Sequence, residues 1–288
     1  MSESVAQPTS GTPANVAALP PRGRSLKQAV ATAVLLLGLM AAFYALGRDW
    51  FFGLIVVVVS IALFELLDAL VQTGHGPNII FGVACGIAMM TVAFLQKPAW
   101  FAVVLLATAA GSFLVAMRPR RGRTPMTDAA WTVLGVAWVG GGGAGATLIL
   151  MFHDNGLRLL IAFVLVAAVD DIAAYFAGTY LGKHKLAPAI SPGKSWEGAV
   201  GGFVVALGGG ILFGWWLGHL TVAQGLGIGV ICGLLVPLGD LVESLAKREI
   251  GIKDSGRLLP GHGGFLDRLD AIIMCAPAVY LYLRIVGG

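Results

Sequence analysis

Residues 222–270 read VAQGLGIGVICGLLVPLGDLVESLAKREIGIKDSGRLLPGHGGFLDRLD, and their character changes partway along. From Val222 to Gly239 no side chain is charged, whereas Gly239–Asp270 holds eleven charged side chains in 32 residues. An α-helix needs about 20 apolar residues to cross the hydrocarbon core of a bilayer. The first part therefore reads as a membrane span and the second as a polar segment at its end. Lys247, Arg248, Lys253, Arg257 and Arg268 are set among Asp240, Glu243, Glu249, Asp254, Asp267 and Asp270. Charge alone fits a solvated loop between two helices. A site that binds a divalent metal together with phosphates needs the same mixture, with carboxylates for the cation and Lys or Arg for the anion.

The rest of the chain repeats the apolar theme. With 57% hydrophobic and 12% charged residues and a mean hydropathy of +0.85, an ordinary soluble globule is excluded. Forty-one glycines among Leu, Val and Ala suit close-packed membrane helices. Apolar runs at 28–47, 50–71, 78–95, 99–117, 129–152, 157–181, 198–218 and 271–287 join 222–241. They predict an all-α polytopic membrane protein with nine transmembrane helices. Residues 1–25, rich in Ser, Pro, Thr and Ala, read as a disordered cytoplasmic tail. Residues 26–155 read as the N-terminal transmembrane helices, and 156–288 as a C-terminal transmembrane region with polar loops at 183–197 and 242–270. Cys85, Cys232 and Cys275 lie scattered in apolar runs without metal-ligand spacing and read as small core hydrophobes.

Basic residues set the expected orientation. With a cytoplasmic N-terminus, fifteen of the nineteen Lys and Arg fall on the cytoplasmic side, leaving Arg48, Lys97, Arg158 and Arg284 opposite. Loops 183–197 and 242–270 then face the cytoplasm, where nucleotides are. The run RPRRGR (118–123) is most simply a topology determinant, with contact to anionic headgroups as an alternative. Gly140–Gly145, GGGGAG, imitates a phosphate loop but sits inside an apolar span, which favours close helix packing or a kink.

Carboxylates inside spans cost roughly 2.5–3.5 kcal/mol at the helix centre on insertion scales, so each needs a partner, a cation or a wet cavity. Glu65 and Asp68 fit structural and functional readings equally. Asp171 shares one helix face with Tyr175 and Gly178 (i, i+4, i+7) and points toward the loop that begins at Lys183; Asp170 points about 100° away. In that loop, Gly193-Lys194-Ser195 imitates the end of a Walker motif, but Pro188 stands where the motif needs glycine. Lys183, Lys185 and Lys194 still offer ammonium groups to an anion, with Ser191 and Ser195 adding hydroxyls, or else simply anchor the loop. Asp240, Glu243, Ser244 and Lys247 form one helical stripe (i, i+3, i+4, i+7). Pro260–Gly264 predicts a tight turn whose amides approach a ligand, after which Asp267 and Asp270 share a helix face beside Arg268. That turn would bring Asp240 and Asp267 together.

Ser244–Asp270, SLAKREIGIKDSGRLLPGHGGFLDRLD, closely resembles the signature of the CDP-diacylglycerol synthases, or phosphatidate cytidylyltransferases. GDLVES (239–244), GKHKLAPAISPGKSWEG (182–198) and DIAAYFAG (171–178) are similar to the same family. The resemblance covers about residues 165–270; one small departure is Ala246, where the pattern usually has a larger apolar side chain. It implies transfer of the cytidylyl group of CTP to phosphatidic acid, giving CDP-diacylglycerol and pyrophosphate, at the cytoplasmic (inner) membrane. By that analogy Asp240 and Asp267 hold Mg²⁺, with Asp270 nearby and a second cation left open. Lys194, Lys247, Arg248 and Lys253 are candidates for phosphate binding. Asp171 and Ser191 shape the cavity together with Arg268, and Ser244 adds a hydroxyl near the metal. His262, counted with the substrate-binding residues, serves either the turn or proton transfer. Implied partners are CTP, phosphatidate of the inner leaflet, membrane lipid and a second copy of the chain as a homodimer, with no nucleic acid. Two rivals stay open: a CTP-dependent enzyme acting on another lipid phosphate or a polyprenol, and an ion-coupled transporter.

Overall fold

The structure is a computed structural model and describes residues 26–97, 99–117, 124–252 and 264–287. Ten α-helices are formed in them: α1 (Leu26–Leu46), α2 (Arg48–Gln72), α3 (Ile79–Phe94), α4 (Ala99–Ala116), α5 (Pro125–Gly135), α6 (Gly141–Leu150), α7 (Gly156–Leu181), α8 (Trp196–Trp216), α9 (Val222–Glu249) and α10 (Leu266–Val286). A π-helical turn at Val136–Gly140 joins α5 to α6, so these two make one rod and the described residues form nine. Seven rods are long and apolar enough to cross a membrane, and α3 is apolar but shorter. The expected all-α polytopic architecture is therefore present.

The helices start where side chains satisfy the first amides. Asn78 accepts from Phe81 N, Ser195 from Gly198 N, and Thr221 and Gln224 form a reciprocal capping box. Polar contacts then sort the helix ends into two sets. At one end Gly76 N donates to Asp128 Oδ1 at 2.5 Å, Leu266 N to Glu65 Oε2 at 3.1 Å, and Lys194 pairs with Asp240 at 2.6 Å. At the other, Gln96 Nε2 donates to Met151 O, Asn155 Nδ2 to Gly218 O and Gln224 Nε2 to Val286 O. Successive rods thus run up and down, and the charged segments share one end.

The glycine run at 140–145 packs helices, as its apolar setting suggested. A Cβ on Gly142 would stand 2.6 Å from Ile273 O, and one on Gly145 2.6 Å from Pro277 N, both in α10. Only glycine admits the α10 backbone this closely. The three cysteines are unpaired, with Cys232 and Cys275 buried and Cys85 half-buried.

Two differences from the sequence reading bear on the site. Helix α9 continues to Glu249 and α10 begins at Leu266, so much of the expected loop 242–270 is helix. Hydropathy marks what hydrocarbon tolerates, while the backbone stays helical through the Glu243–Lys247 ion pair (i, i+4). Gly251, at φ +76°, ends α9 by letting Ile252 N reach back to Lys247 O. The loop 183–197 contains a short antiparallel hairpin, β1 (Lys185–Ala187) with β2 (Ser191–Ser195), inside the otherwise all-helical chain.

Candidate active site

One cavity of about 770 Å³ lies where α7, the hairpin, α8, α9 and α10 meet. Helix α7 contributes Asp171, Tyr175 and Gly178, the face that the i, i+4, i+7 spacing predicts. Asp170 is buried elsewhere, against Gly202 of α8. The hairpin supplies Ser191, Gly193, Lys194 and Ser195, while α9 supplies Pro237 and Asp240 and α10 supplies Arg268. Strand β2 runs straight into α8, with Ser195 capping that helix, so Lys194 is aimed across the cavity by a rigid strand rather than a free loop.

Lys194 Nζ is 2.6 Å from Asp240 Oδ2 and donates to Pro237 O at 3.3 Å. Ser244 Oγ donates to Asp240 Oδ1 at 3.4 Å. One helical turn on, Lys247 Nζ bridges Glu243 Oε2 at 3.1 Å and Asp267 Oδ1 at 2.9 Å. This contact ties α9 to α10. The second oxygen of Asp267 accepts from Gly264 N at 3.0 Å, and Asp270 Oδ1 accepts from Ala271 N at 2.8 Å.

Asp240, Glu243 and Asp270 place one carboxylate oxygen each within 4.8 Å of one another. Glu243 and Asp270 are buried and Asp240 is half-buried. Three carboxyl groups so close and so poorly hydrated cannot all stay ionised unless positive charge sits among them. The donor set is all hard oxygen, which suits Mg²⁺ or Ca²⁺ rather than a thiophilic metal. The residues present therefore fit a divalent cation, and Lys194 and Lys247 bring ammonium groups to the edges of the same cluster.

The sequence-predicted residues divide as follows. Asp171, Ser191, Lys194, Asp240 and Arg268 converge on the cavity, with Ser244 bonded to Asp240. Asp270 joins Asp240 in the acidic cluster. Asp267 accepts from Lys247 and also meets the side chain of Glu243, a member of that cluster. Arg248 is exposed and donates to Ile252 O at 3.4 Å; it does not line the cavity. Lys253 and His262 lie outside the described residues. Glu243 is the acidic residue not singled out for the site beforehand. Its i+3 spacing from Asp240 was the available signal.

Comparison with known proteins identifies the family. The pattern of the cytidylyltransferase family matches residues 27–286. A Mycobacterium bovis protein named phosphatidate cytidylyltransferase is 33% identical over 280 residues, covering 91% of this chain and 90% of its own length. A Brucella suis protein of the same name is 42% identical over 156 residues, covering 53% of this chain and 56% of its own length. A Mycobacterium leprae protein, also so named, is 41% identical over 160 residues, covering 56% of this chain and 51% of its own. With a family match over nearly the whole chain and the acidic cluster, lysines and cavity in one place, this chain belongs to the cytidylyltransferase family.

Proposed function

We propose that this chain transfers the cytidylyl group of CTP to phosphatidate in the membrane, releasing pyrophosphate and forming CDP-diacylglycerol. The observation that carries the reading is the acidic cluster Asp240–Glu243–Asp270 opening on a cavity that also holds Lys194 and Arg268. A phosphate oxygen of phosphatidate attacks the α-phosphorus of CTP; that P–O bond forms as the bond to the β-phosphate oxygen breaks. Phosphate monoesters are largely ionised at neutral pH, so the nucleophile needs no strong general base. The difficulty is bringing two anions together, and it is met by positioning and fixed positive charge.

Lys194 and Arg268 face the cavity and hold phosphate groups of the substrates. Lys247 keeps Glu243 and Asp267 in place from below. Asp240, Glu243 and Asp270 would hold a Mg²⁺ ion, which would supply neutralisation of the phosphates and of the leaving pyrophosphate. Asp267, the ligand expected from the family resemblance, joins this cluster through its contacts with Lys247 and Glu243. The side of the cavity formed by Tyr175 and Phe176 receives the lipid. The excess of basic residues on one side supports a site on the cytoplasmic face of the inner membrane. A homodimer is carried by the family resemblance alone.

The test is CTP- and Mg²⁺-dependent formation of CDP-diacylglycerol from phosphatidate by the purified protein in detergent, with polyprenols and other lipid phosphates as competitors. Chelation should abolish turnover, and Mg²⁺ should restore it. Preferential turnover of another acceptor would replace the substrate while keeping the chemistry. Failure to bind CTP in a folded preparation would end the reading.

A further inference from the structure

Helix α10 carries Asp267 and Asp270, yet it begins without a cap of its own. Its N-cap residue is Phe265, which makes no side-chain cap hydrogen bond. The first amides of a helix have no intrahelical acceptor and must find one elsewhere. Leu266 N finds it 201 residues away in sequence, donating to Glu65 Oε2 at 3.1 Å. Glu65 lies in α2 and is only 4% exposed. Its other oxygen, Oε1, is buried and has no hydrogen-bond partner among the described residues. A carboxylate half-satisfied inside an apolar helix is unfavourable where it stands. Its neighbour Asp68, by contrast, simply bonds Gln72 one turn on. The contact Glu65 makes is therefore the one that accounts for it.

We infer that Glu65 is a positioning residue for the acidic cluster: it clamps the first turn of α10 and so sets where Asp267 and Asp270 meet α9. Further along, α10 is located sideways by the glycines of α6, which face Ile273 and Pro277. That packing leaves the first turn to be fixed by other means. Asp267 reaches Lys247 from the first turn, and Asp270 follows within the next. Fraying at Leu266 would move both carboxylates together. An anion also suits the positive end of the helix. The kinetic consequence rests on the cytidylyl-transfer reading; the clamp itself does not.

The experiment uses the full chain in detergent with three variants, Glu65→Ala, Glu65→Gln and Glu65→Asp. Amide hydrogen exchange over residues 264–271, without substrates, reads the clamp directly. Steady-state kinetics with CTP, phosphatidate and varied Mg²⁺ read its consequence. Glu65→Ala should speed exchange of the first turn about tenfold or more, the usual effect of stranding a buried donor. It should lower kcat by a similar factor, raise the half-saturating Mg²⁺ concentration and leave KM for phosphatidate unchanged. Glu65→Gln keeps an acceptor of the same reach and should stay within about threefold of wild type. Glu65→Asp keeps the charge but is one methylene short, so it should behave like Glu65→Ala. The inference is overturned if Glu65→Asp matches wild type in both measurements. It is equally overturned if Glu65→Gln falls as far as Glu65→Ala while exchange in α10 is unchanged. Should Glu65→Ala fail to fold, the Gln and Asp variants decide alone. A wild-type protein with no turnover would refute the function while the exchange data still judged the clamp.

Discussion

Replacing Lys247 by Met isolates the ion triad that joins α9 to α10. The ammonium group lies 3.1 Å from Glu243 and 2.9 Å from Asp267. The side chains are 15% exposed for Lys247, 3% for Glu243 and 13% for Asp267, so water cannot replace what Lys247 supplies. An exposed pair would be worth about 0–1 kcal/mol, whereas removing one partner of a buried pair costs about 3–5 kcal/mol. The residual exposure of Lys247 argues for the lower end, about 3 kcal/mol, which is a large share of a net stability on the order of 5–15 kcal/mol. Thermal unfolding of the purified protein in detergent should show Tm lowered by on the order of 5–10 °C. The decisive variant is Lys247→Met/Glu243→Gln. Neutralising Glu243 removes most of the repulsion that the first change exposes, so the double variant should recover about 1 kcal/mol or more relative to Lys247→Met. A Lys247→Met protein within about 0.5 kcal/mol of wild type, or strictly additive costs, would refute a tightly coupled buried triad.

Other expectations follow from the same contacts. Asp270→Asn, which removes charge from the acidic cluster at constant shape, should lower kcat about 100-fold or more while the protein stays folded; CDP-diacylglycerol formation over a Mg²⁺ titration checks it. Lys194→Met should raise KM for CTP about tenfold, the loss of one charged hydrogen bond to phosphate, without changing thermal stability to the same degree. Gly145→Val places a branched side chain against the α10 backbone, 2.6 Å from Pro277 N at its first carbon. Overpacking of about 1–3 kcal/mol or more should show as a lower Tm and poor recovery from the membrane.

Much of this arrangement was legible because the membrane restricts it. Runs of apolar residues can only be helices there, so the nine rods and their alternation followed from hydropathy. The site was legible where functional residues are near in sequence: Asp171, Tyr175 and Gly178 on one turn-by-turn face, and Asp240 with Ser244 and Lys247 on another. Long-range pairings were not legible. Nothing in the residues around Glu65 names Leu266 as its partner, since that contact depends on how α2 packs against α10. Which of Asp267 and Asp270 comes nearer Asp240 was not legible for a related reason. Helical spacing gives direction around one axis, whereas the depth at which two helices meet comes from packing, here from Gly239 of α9, where a Cβ would stand 2.8 Å from Asp270 O in α10. The hairpin at 185–195 was hidden because three- and five-residue strands carry too little periodicity to stand out from a Pro-containing loop.

The cavity has two kinds of wall, and the division matches what the proposed substrates demand. Lys194, Arg268, Asp171 and Asp240 form its polar part, while Ile172, Tyr175 and Phe176 of α7 lie along it and remain 56%, 69% and 52% exposed. In a soluble protein such an aromatic cluster would mark a missing partner. On a helix that spans the bilayer it faces acyl chains at no cost, and rings with a polar edge favour the interfacial depth. A nucleotide arrives from water and a phospholipid from the side, so both reach one reaction centre only if charged groups stand at that same depth. Helix ends meet this condition. They lie close enough to the interface for Asp240, Glu243 and Asp267 to be paired with lysines rather than stranded in hydrocarbon, and they are anchored by spans rigid enough to hold them. The concentration of charge in one short stretch of an apolar chain is thus what a reaction between a soluble anion and a membrane-held anion requires.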